Sequence, residues 1–474
     1  MTLMEARPAT GIAAALAARP AGERVTAATM AAPALDPIAL AGAALARGLE
    51  LAAWLRPSDG VAIVGVGRAW AVEPSGADRF TDAEAAWEAL GGDLATTGAP
   101  GATSQGPAAG PLLLGGLGFR GERGPAAEPW AGFPVASLVL PELTYVRRGD
   151  DAWLTVAVTA GAEGTRPREL EATWGELAAA GPVEVPGRAA GLVGRARSTP
   201  DRAGWERLVG LMAGAVGRGR LDKVVLARRA DLVLAAGVDA ASVLAALAAG
   251  TPQGAAFLFS RGGRVFLGAT PERLVRVDGR AFRTVAIAGS TRRGRDAAED
   301  ARLAAALLAS DKDREEHAVV VEMLRAELAP VAAELHVDAE PGVLALRDLQ
   351  HLVTPVEGVL RERAGILSLA ARLHPTPAVG GAPTDAALAM LAEHEGFDRG
   401  WYAGPVGWIG PDGDGELMVA LRSGVVDGAR ASLFAGCGIV ADSDGAREWA
   451  ESRMKLRPML TALGLDPDDT EAIP

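Results

Sequence analysis

Cysteine is all but missing: Cys437 is the only one in 474 residues. That excludes a disulfide framework and a thiolate metal site, and it fits a reducing, cytoplasmic compartment. Histidine is scarce too, with five in the chain and no His-Glu-x-x-His among them. No Gly-x-x-x-x-Gly-Lys-[Ser/Thr] phosphate loop is present. Positive charge is in deficit, with a formal net charge of −12. Nucleic acid and anionic membranes need a basic footprint, so neither is an expected partner. A small anionic substrate feels only the local field and stays possible. No apolar run approaches the roughly 18 residues that span a bilayer. The opening Thr10–Ala18 is alanine-rich but weakly hydrophobic and follows Glu5, which reads as a loose terminal helix or tail and not a signal peptide.

What is present is apolar residue in quantity, 49% of the chain, ample for a large core. Ile38–Leu55 has the spacing of an amphipathic helix, and Val61–Val66 and Trp153–Val158 read as strands. Thr96–Gly110, nearly all small and turn-forming residues, predicts a mobile surface loop, and Gly194–Pro200 is a second break. Beyond it a helix is predicted at Asp201–Gly217, a strand at Lys223–Leu232, a helix at Ala240–Ala249 and strands at Ala255–Ser260 and Val265–Ala269. Asp278-Gly279 between Arg273–Val277 and Ala281–Ala288 is a hairpin signal. Two helices follow, Ala297–Ala309 and Lys312–Leu328, and then a meander of Tyr402–Ile409, Glu416–Val426 and Ala431–Val440. Helices and antiparallel strands interleave without a βαβ rhythm, so the expected class is α+β with large antiparallel sheets. Residues 1–34 read as a poorly ordered tail, 35–200 as an N-terminal portion, 201–463 as a catalytic portion and 464–474 as a C-terminal tail.

Near the C-terminus, Glu448, Glu451 and Lys455 stand at i, i+3 and i+7, one stripe of a helix. Asp313 and Glu316 repeat the i, i+3 spacing within Asp311–His317. Two carboxylate stripes facing each other can clamp a hard divalent cation. The plainer alternative is two solvated helices, with Glu451 and Lys455 an ordinary surface pair. Lys223 heads a strand that otherwise looks buried, which suits either a general base or a snorkelling lysine. Glu272 follows the turn Gly268–Pro271, where it either donates a proton or caps the turn, and Gly268 permits close approach of backbone to a ligand. Arg422 lies inside the apolar run Leu417–Val426 and therefore calls for a carboxylate partner, internal or from substrate. Gly436-Cys437-Gly438 weakens the last strand and suggests backbone exposed to a ligand.

The order of these features is more specific than any one of them. Lys-Val-Val-Leu-Ala-Arg at 223–228, Gly-Ala-Thr-Pro-Glu-Arg-Leu at 268–274 and Ile-Ala-Gly-Ser-Thr-Arg-Arg-Gly at 287–294 resemble the chorismate-utilising enzymes. So do Glu-Glu-His at 315–317, His-Pro-Thr-Pro-Ala-Val-Gly-Gly-Ala-Pro at 374–383 and Arg-Gly-Trp-Tyr-Ala-Gly-Pro-Val-Gly at 399–407. Leu-Arg-Ser at 421–423, Gly-Cys-Gly-Ile-Val at 436–440 and Glu-Trp-Ala-Glu-Ser-Arg-Met-Lys at 448–455 complete the series. The resemblance spans Asp201 to about Leu463 and implies a single large domain, with packed antiparallel sheets at the centre and helices outside.

It also implies chemistry. A lysine at the place of Lys223 marks members that use water, the isochorismate and salicylate synthases. Lys223 would be the base that activates water and Glu272 the acid that protonates the departing hydroxyl. Glu316 and Glu451 would hold Mg²⁺, with Asp313 and Glu448 as outer-shell partners. Gly289, His374, Ala378, Tyr402, Arg422, Gly436, Gly438 and Lys455 would line the chorismate site. Salicylate synthases resemble Pro-x-x-Thr where this chain has Pro375-Thr376-Pro377-Ala378; His374 and Ala378 are typical of members that stop at isochorismate. Cys437 stands where alanine is more usual, and Asp313 is shorter than the common glutamate. No glutamine amidotransferase motif is visible, and a monomer is expected.

Overall fold

The structure, a computed structural model, describes residues 11–16, 24–97, 109–124, 128–162, 164–183 and 191–469. Two large sheets form its frame. The first runs, in spatial order, from the edge strand Arg197–Thr199 through Lys223–Val233, Arg430–Ile439, Ser423–Asp427, Arg264–Thr270 and Ala255–Arg261. It continues through Leu51–Arg56, Val61–Val66, Leu143–Arg148, Asp151–Thr159 and Val25–Ala31 to Leu94–Thr97. The second includes Leu349–Leu360, Ala281–Arg292, Arg273–Asp278, Gly415–Val419, Pro405–Ile409 and Leu113–Leu117. Among the described residues one pair is parallel, Val25–Ala31 with Leu94–Thr97, and the other pairs are antiparallel. The α+β expectation and the single domain both hold.

The period of two explains why so many of these strands look apolar throughout. In Ala255–Arg261, Phe257 and Phe259 enter a core shared by the two sheets, while Ala256 and Leu258 face a second core on the other side. The shared core also takes Phe266 from the first sheet and Leu114, Val275 and Leu417 from the second. The second core is closed by helices Pro37–Ala46, Ala240–Gly250 and Gly445–Ala462, through Leu40, Leu244 and Met459. A strand covered on both faces has no polar side to show.

Several boundaries differ from the sequence reading. Ile38–Leu55 is not one helix: the helix is Pro37–Ala46, Gly48 turns the chain at φ +67°, and Leu51–Arg56 pairs with Val61–Val66. Residues 1–34 are not all tail, since Val25–Ala31 pairs along its length with Asp151–Thr159. The predicted break at 194–200 contains the edge strand Arg197–Thr199. Of the predicted loop Thr96–Gly110, residues 98–108 lie outside the described residues. The predicted strand Glu416–Val426 is two strands, one in each sheet, and that division makes the site. No helix among the described residues is long and apolar enough to cross a membrane.

Candidate active site

The chain passes between the sheets at two adjoining points. Arg264–Thr270 ends in the first sheet and Arg273–Asp278 begins in the second, with Pro271 and Glu272 between them. Gly415–Val419 returns from the second sheet to Ser423–Asp427 in the first through Ala420, Leu421 and Arg422. The crossings are tied together: Val419 N–H donates to Glu272 O at 2.9 Å, and Ala269 N–H to Arg422 O at 3.3 Å. Gly268 makes the approach possible, because a Cβ there would stand 2.6 Å from Ser423 Cβ. Its role is to admit the neighbouring crossing, where the sequence suggested a ligand. Arg422 takes φ +48° and Ala403, packed on the same return, φ +61°, conformations rare outside glycine. Arg422 is thus not inside a strand, and its side chain is free to leave the sheet plane.

Glu272 and Arg422 open into a cavity that collects most of the predicted residues: Lys223, Gly289, Glu316, Ala378, Tyr402, Gly436, Gly438, Glu451 and Lys455. Lys223 is 1% exposed, and its Nζ lies 2.8 Å from Glu316 Oε1. The snorkelling alternative fails there. Lys455 Nζ lies 2.8 Å from Glu451 Oε1 and donates to Gly436 O at 2.9 Å. That is the i, i+4 pair foreseen on the helix, and both of its residues line the cavity. Burial opposes the charge on Lys455, but the acidic groups around it, Glu451 foremost and Glu316 among them, together outweigh it and raise the pKa. Burial raises the Glu272 pKa to about 7 against the pull of Lys223, Lys455 and Arg422. Glu272 is therefore ready to carry a proton near neutrality. Burial likewise raises the Tyr402 phenol.

The two glycines of the last strand act by leaving room. Gly438 faces Val225 and Gly436 faces Ala227 in an unbroken antiparallel register. A Cβ on Gly438 would stand 2.5 Å from Glu316 Oε1 and 2.7 Å from Lys223 Cε, and one on Gly436 3.1 Å from the Tyr402 hydroxyl. Their main chain stays in the ladder, so the expected weakening of the strand does not occur.

Within the protein Arg422 meets a histidine and not an internal carboxylate. Its Nη2 donates to His351 Nε2 at 2.9 Å, and His351 Nδ1 meets Ser290 Oγ at 2.8 Å. A guanidinium only donates, so Nε2 accepts and the hydrogen sits on Nδ1. Burial, then the charges of Arg422 and Lys455, keep His351 neutral by pushing its pKa well below the usual value. Burial lowers Arg422 itself to about 10. Among the described residues no carboxylate pairs with it, which leaves donors for an incoming one. His351 belongs to no motif in the sequence, and its one signal there is the polar pair Gln350-His351 in an apolar strand. Arg399, which carries no local signal of a role, pairs with buried Glu395 at 2.5 Å and donates to Val225 O and Val379 O in the cavity wall.

Three predicted residues lie outside the cavity lining. His374 packs between Phe80 and Phe119, with Nε2 3.1 Å from Phe119 O, and burial lowers its pKa to about 3. It is a neutral, half-buried packing residue, because the chain turns its ring toward those aromatics while Ala378, four residues on, reaches the cavity. Asp313 sits behind Gly289, whose absent Cβ would stand 3.0 Å from Asp313 Cβ, and is held by Ser310 Oγ. Glu448 lies beside Glu451, with Lys312 Nζ 3.7 Å away.

These acids suit a hard cation. Oxygens of Glu448 and Glu451 and the Cys437 sulfur lie within 4.8 Å of one another. Burial, reinforced by Glu451, raises the Glu448 pKa to about 7, and burial with Glu316 and Glu451 nearby raises Asp313. Carboxylates that destabilise one another in a buried site are what a divalent cation relieves. Burial and Glu451 raise the Cys437 thiol well above its usual value, so it stays protonated and donates to Glu448 O.

A family model described as chorismate binding enzyme matches residues 12–464. The chain belongs to that family. It is 40% identical over 442 residues to the salicylate biosynthesis isochorismate synthase of Pseudomonas aeruginosa, covering 91% of this chain and 89% of the relative. The isochorismate synthase MenF of Bacillus subtilis is 36% identical, with 75% of each chain covered. Among solved structures, MenF of Escherichia coli, a menaquinone-specific isochorismate synthase, superposes with TM-score 0.76 at 28% identity over 93% of this chain and 95% of that one. Anthranilate synthase component I of Streptococcus pneumoniae shares the fold, with TM-score 0.67 at 20% identity over 84% and 92% of the two chains.

Proposed function

We propose that this chain is an isochorismate synthase, an isomerase that converts chorismate to isochorismate with Mg²⁺. The observation that carries the reading is a buried lysine and a carboxyl with a pKa raised to about 7 lining one cavity, Lys223 and Glu272. Similarity to enzymes of that name, over 91% and 75% of this chain, supports it.

Lys223, once released from its pair with Glu316 and relieved of its own ammonium proton, takes a proton from water as the oxygen bonds to ring C2. Glu272, protonated, delivers a proton to the C4 hydroxyl as that bond breaks, and the ring double bonds shift. One water enters and one leaves, so the change is an isomerisation. Arg422 and Tyr402 suit one substrate carboxylate. Glu316 and Glu451 would hold Mg²⁺, with Asp313 and Glu448 behind them, and the bound ion would supply positive charge for the ring carboxylate. Glu316 already holds Lys223 through Oε1, so a cation bound there would share the carboxylate's charge with the lysine. Ala378 in the lining supports a reaction that stops at isochorismate and not at salicylate. A cytoplasmic monomer without an amidotransferase subunit completes the reading.

Incubation with chorismate and Mg²⁺, followed by chromatography, tests it. Isochorismate is expected, with loss of turnover on chelation; unchanged chorismate overturns the proposal.

A further inference from the structure

Arg422 faces two hollows. One is the cavity above; the other is a neighbouring cleft bounded by Gly250 at the end of the helix Ala240–Gly250, by Arg293, by Arg347 and by the last turns of the C-terminal helix at Pro458 and Thr461. Three elements pass from one hollow into the other. Lys455 lines the cavity and Pro458, less than a turn later, lines the cleft. His351 lines the cavity and Arg347, four residues earlier, the cleft. Arg422 is the third, and lines both.

The cleft is a local exception to a chain of net charge −12, for Arg293, Arg347 and Arg422 meet there with Asp348. Arg293 is committed elsewhere, paired with Asp300 at 2.7 Å and bonded to Leu346 O. Arg347 is exposed and makes no ion pair among the described residues. Its Nη1 would stand 3.5 Å from a Cβ on Gly250, so the guanidinium reaches across to the opposite wall.

We propose that this cleft is the vestibule by which the substrate dianion reaches the cavity, and that Arg347 at its mouth draws the dianion in by charge. The inference rests on chorismate being the substrate. A residue acting in this way changes capture and not chemistry, and its effect is screened by salt.

The test is stopped-flow chorismate association and steady-state kinetics for Arg347→Glu, Arg347→Ala and Arg347→Lys at low and high ionic strength. Arg168→Glu, the same charge change at an exposed site on the distant helix Arg166–Ala178, is the control. For Arg347→Glu the association rate and kcat/KM should fall roughly three- to tenfold at low salt, with kcat held. The loss should fade at high salt, Arg347→Lys should behave as wild type, and Arg168→Glu should change neither constant. Thr461→Trp, which narrows the cleft without altering charge, should slow association at every ionic strength. Unchanged association in Arg347→Glu, or a loss independent of salt, overturns the vestibule. A wild type that binds chorismate without converting it refutes the isomerase reading while association still tests the vestibule. A wild type that does not bind chorismate refutes both.

Discussion

Lys223 and Glu316 form a buried ion pair, 2.8 Å from Nζ to Oε1, although one begins a strand and the other lies on the helix Asp311–Leu328. Gly438 lies against both. The pair joins the proposed base to a proposed metal ligand, so changes to either member should be felt at both.

Lys223→Gln keeps length and polarity but has no basic nitrogen, and Lys223→Ala has neither. Both should lose turnover by several orders of magnitude, while circular dichroism remains that of the folded protein. Near-native turnover in either variant would remove Lys223 from the mechanism.

Glu316→Gln should weaken Mg²⁺ binding and displace the activation curve to higher metal concentration. Isothermal titration of Mg²⁺ into the protein measures this without turnover. Equal affinity in variant and wild type would return both acidic stripes to a structural role.

Glu272 gives a pH signature. Its folded pKa of about 7 lies above the ordinary 4.5, so the folded state binds the proton more tightly than the unfolded chain. That contribution to stability is complete below about pH 4.5 and is lost as pH rises through about 7. Between pH 6 and 8 it amounts to about 1 kcal/mol. Activity dependent on a protonated acid should fall over the same window. Glu272→Gln, permanently neutral, should lose activity and show a smaller decline in melting temperature from pH 6 to 8. An unchanged decline would place the titration elsewhere.

Gly438→Ala introduces a methyl group where Glu316 Oε1 and Lys223 Cε leave 2.5 and 2.7 Å. It should cost about 1–3 kcal/mol of stability and most of the activity. Thermal denaturation and turnover, measured together, check it.

Ala378→Thr adds a hydroxyl to a cavity wall shaped for a methyl group. Isomerisation should slow by crowding, and trace pyruvate release should rise. A pyruvate-coupled assay beside direct detection of isochorismate reads both. Stoichiometric pyruvate from the wild type would favour a salicylate synthase.

Local chemistry made much of this legible in the sequence. Asp278-Gly279 specified its hairpin, Asp201 capped its helix, and the i, i+3 spacing put Glu448 and Glu451 on one face, because each of these depends on a few neighbouring residues. The run Leu417–Val426 could not reveal its own division. Whether it stays in one sheet or crosses to the other is decided by Gly268 admitting Ser423 and by Val419 bonding to Glu272, contacts about 150 residues away in sequence. His374 has the same lesson, since only the packing of Phe80 and Phe119 turns it away from the cavity. His351 and its bond to Arg422 likewise follow from strand placement, which no local spacing encodes. The sequence by itself determined which side chains were available and how they lie along each element. Tertiary structure alone decided which of them share the cavity, because burial and pairing arise only when the two sheets close on one core.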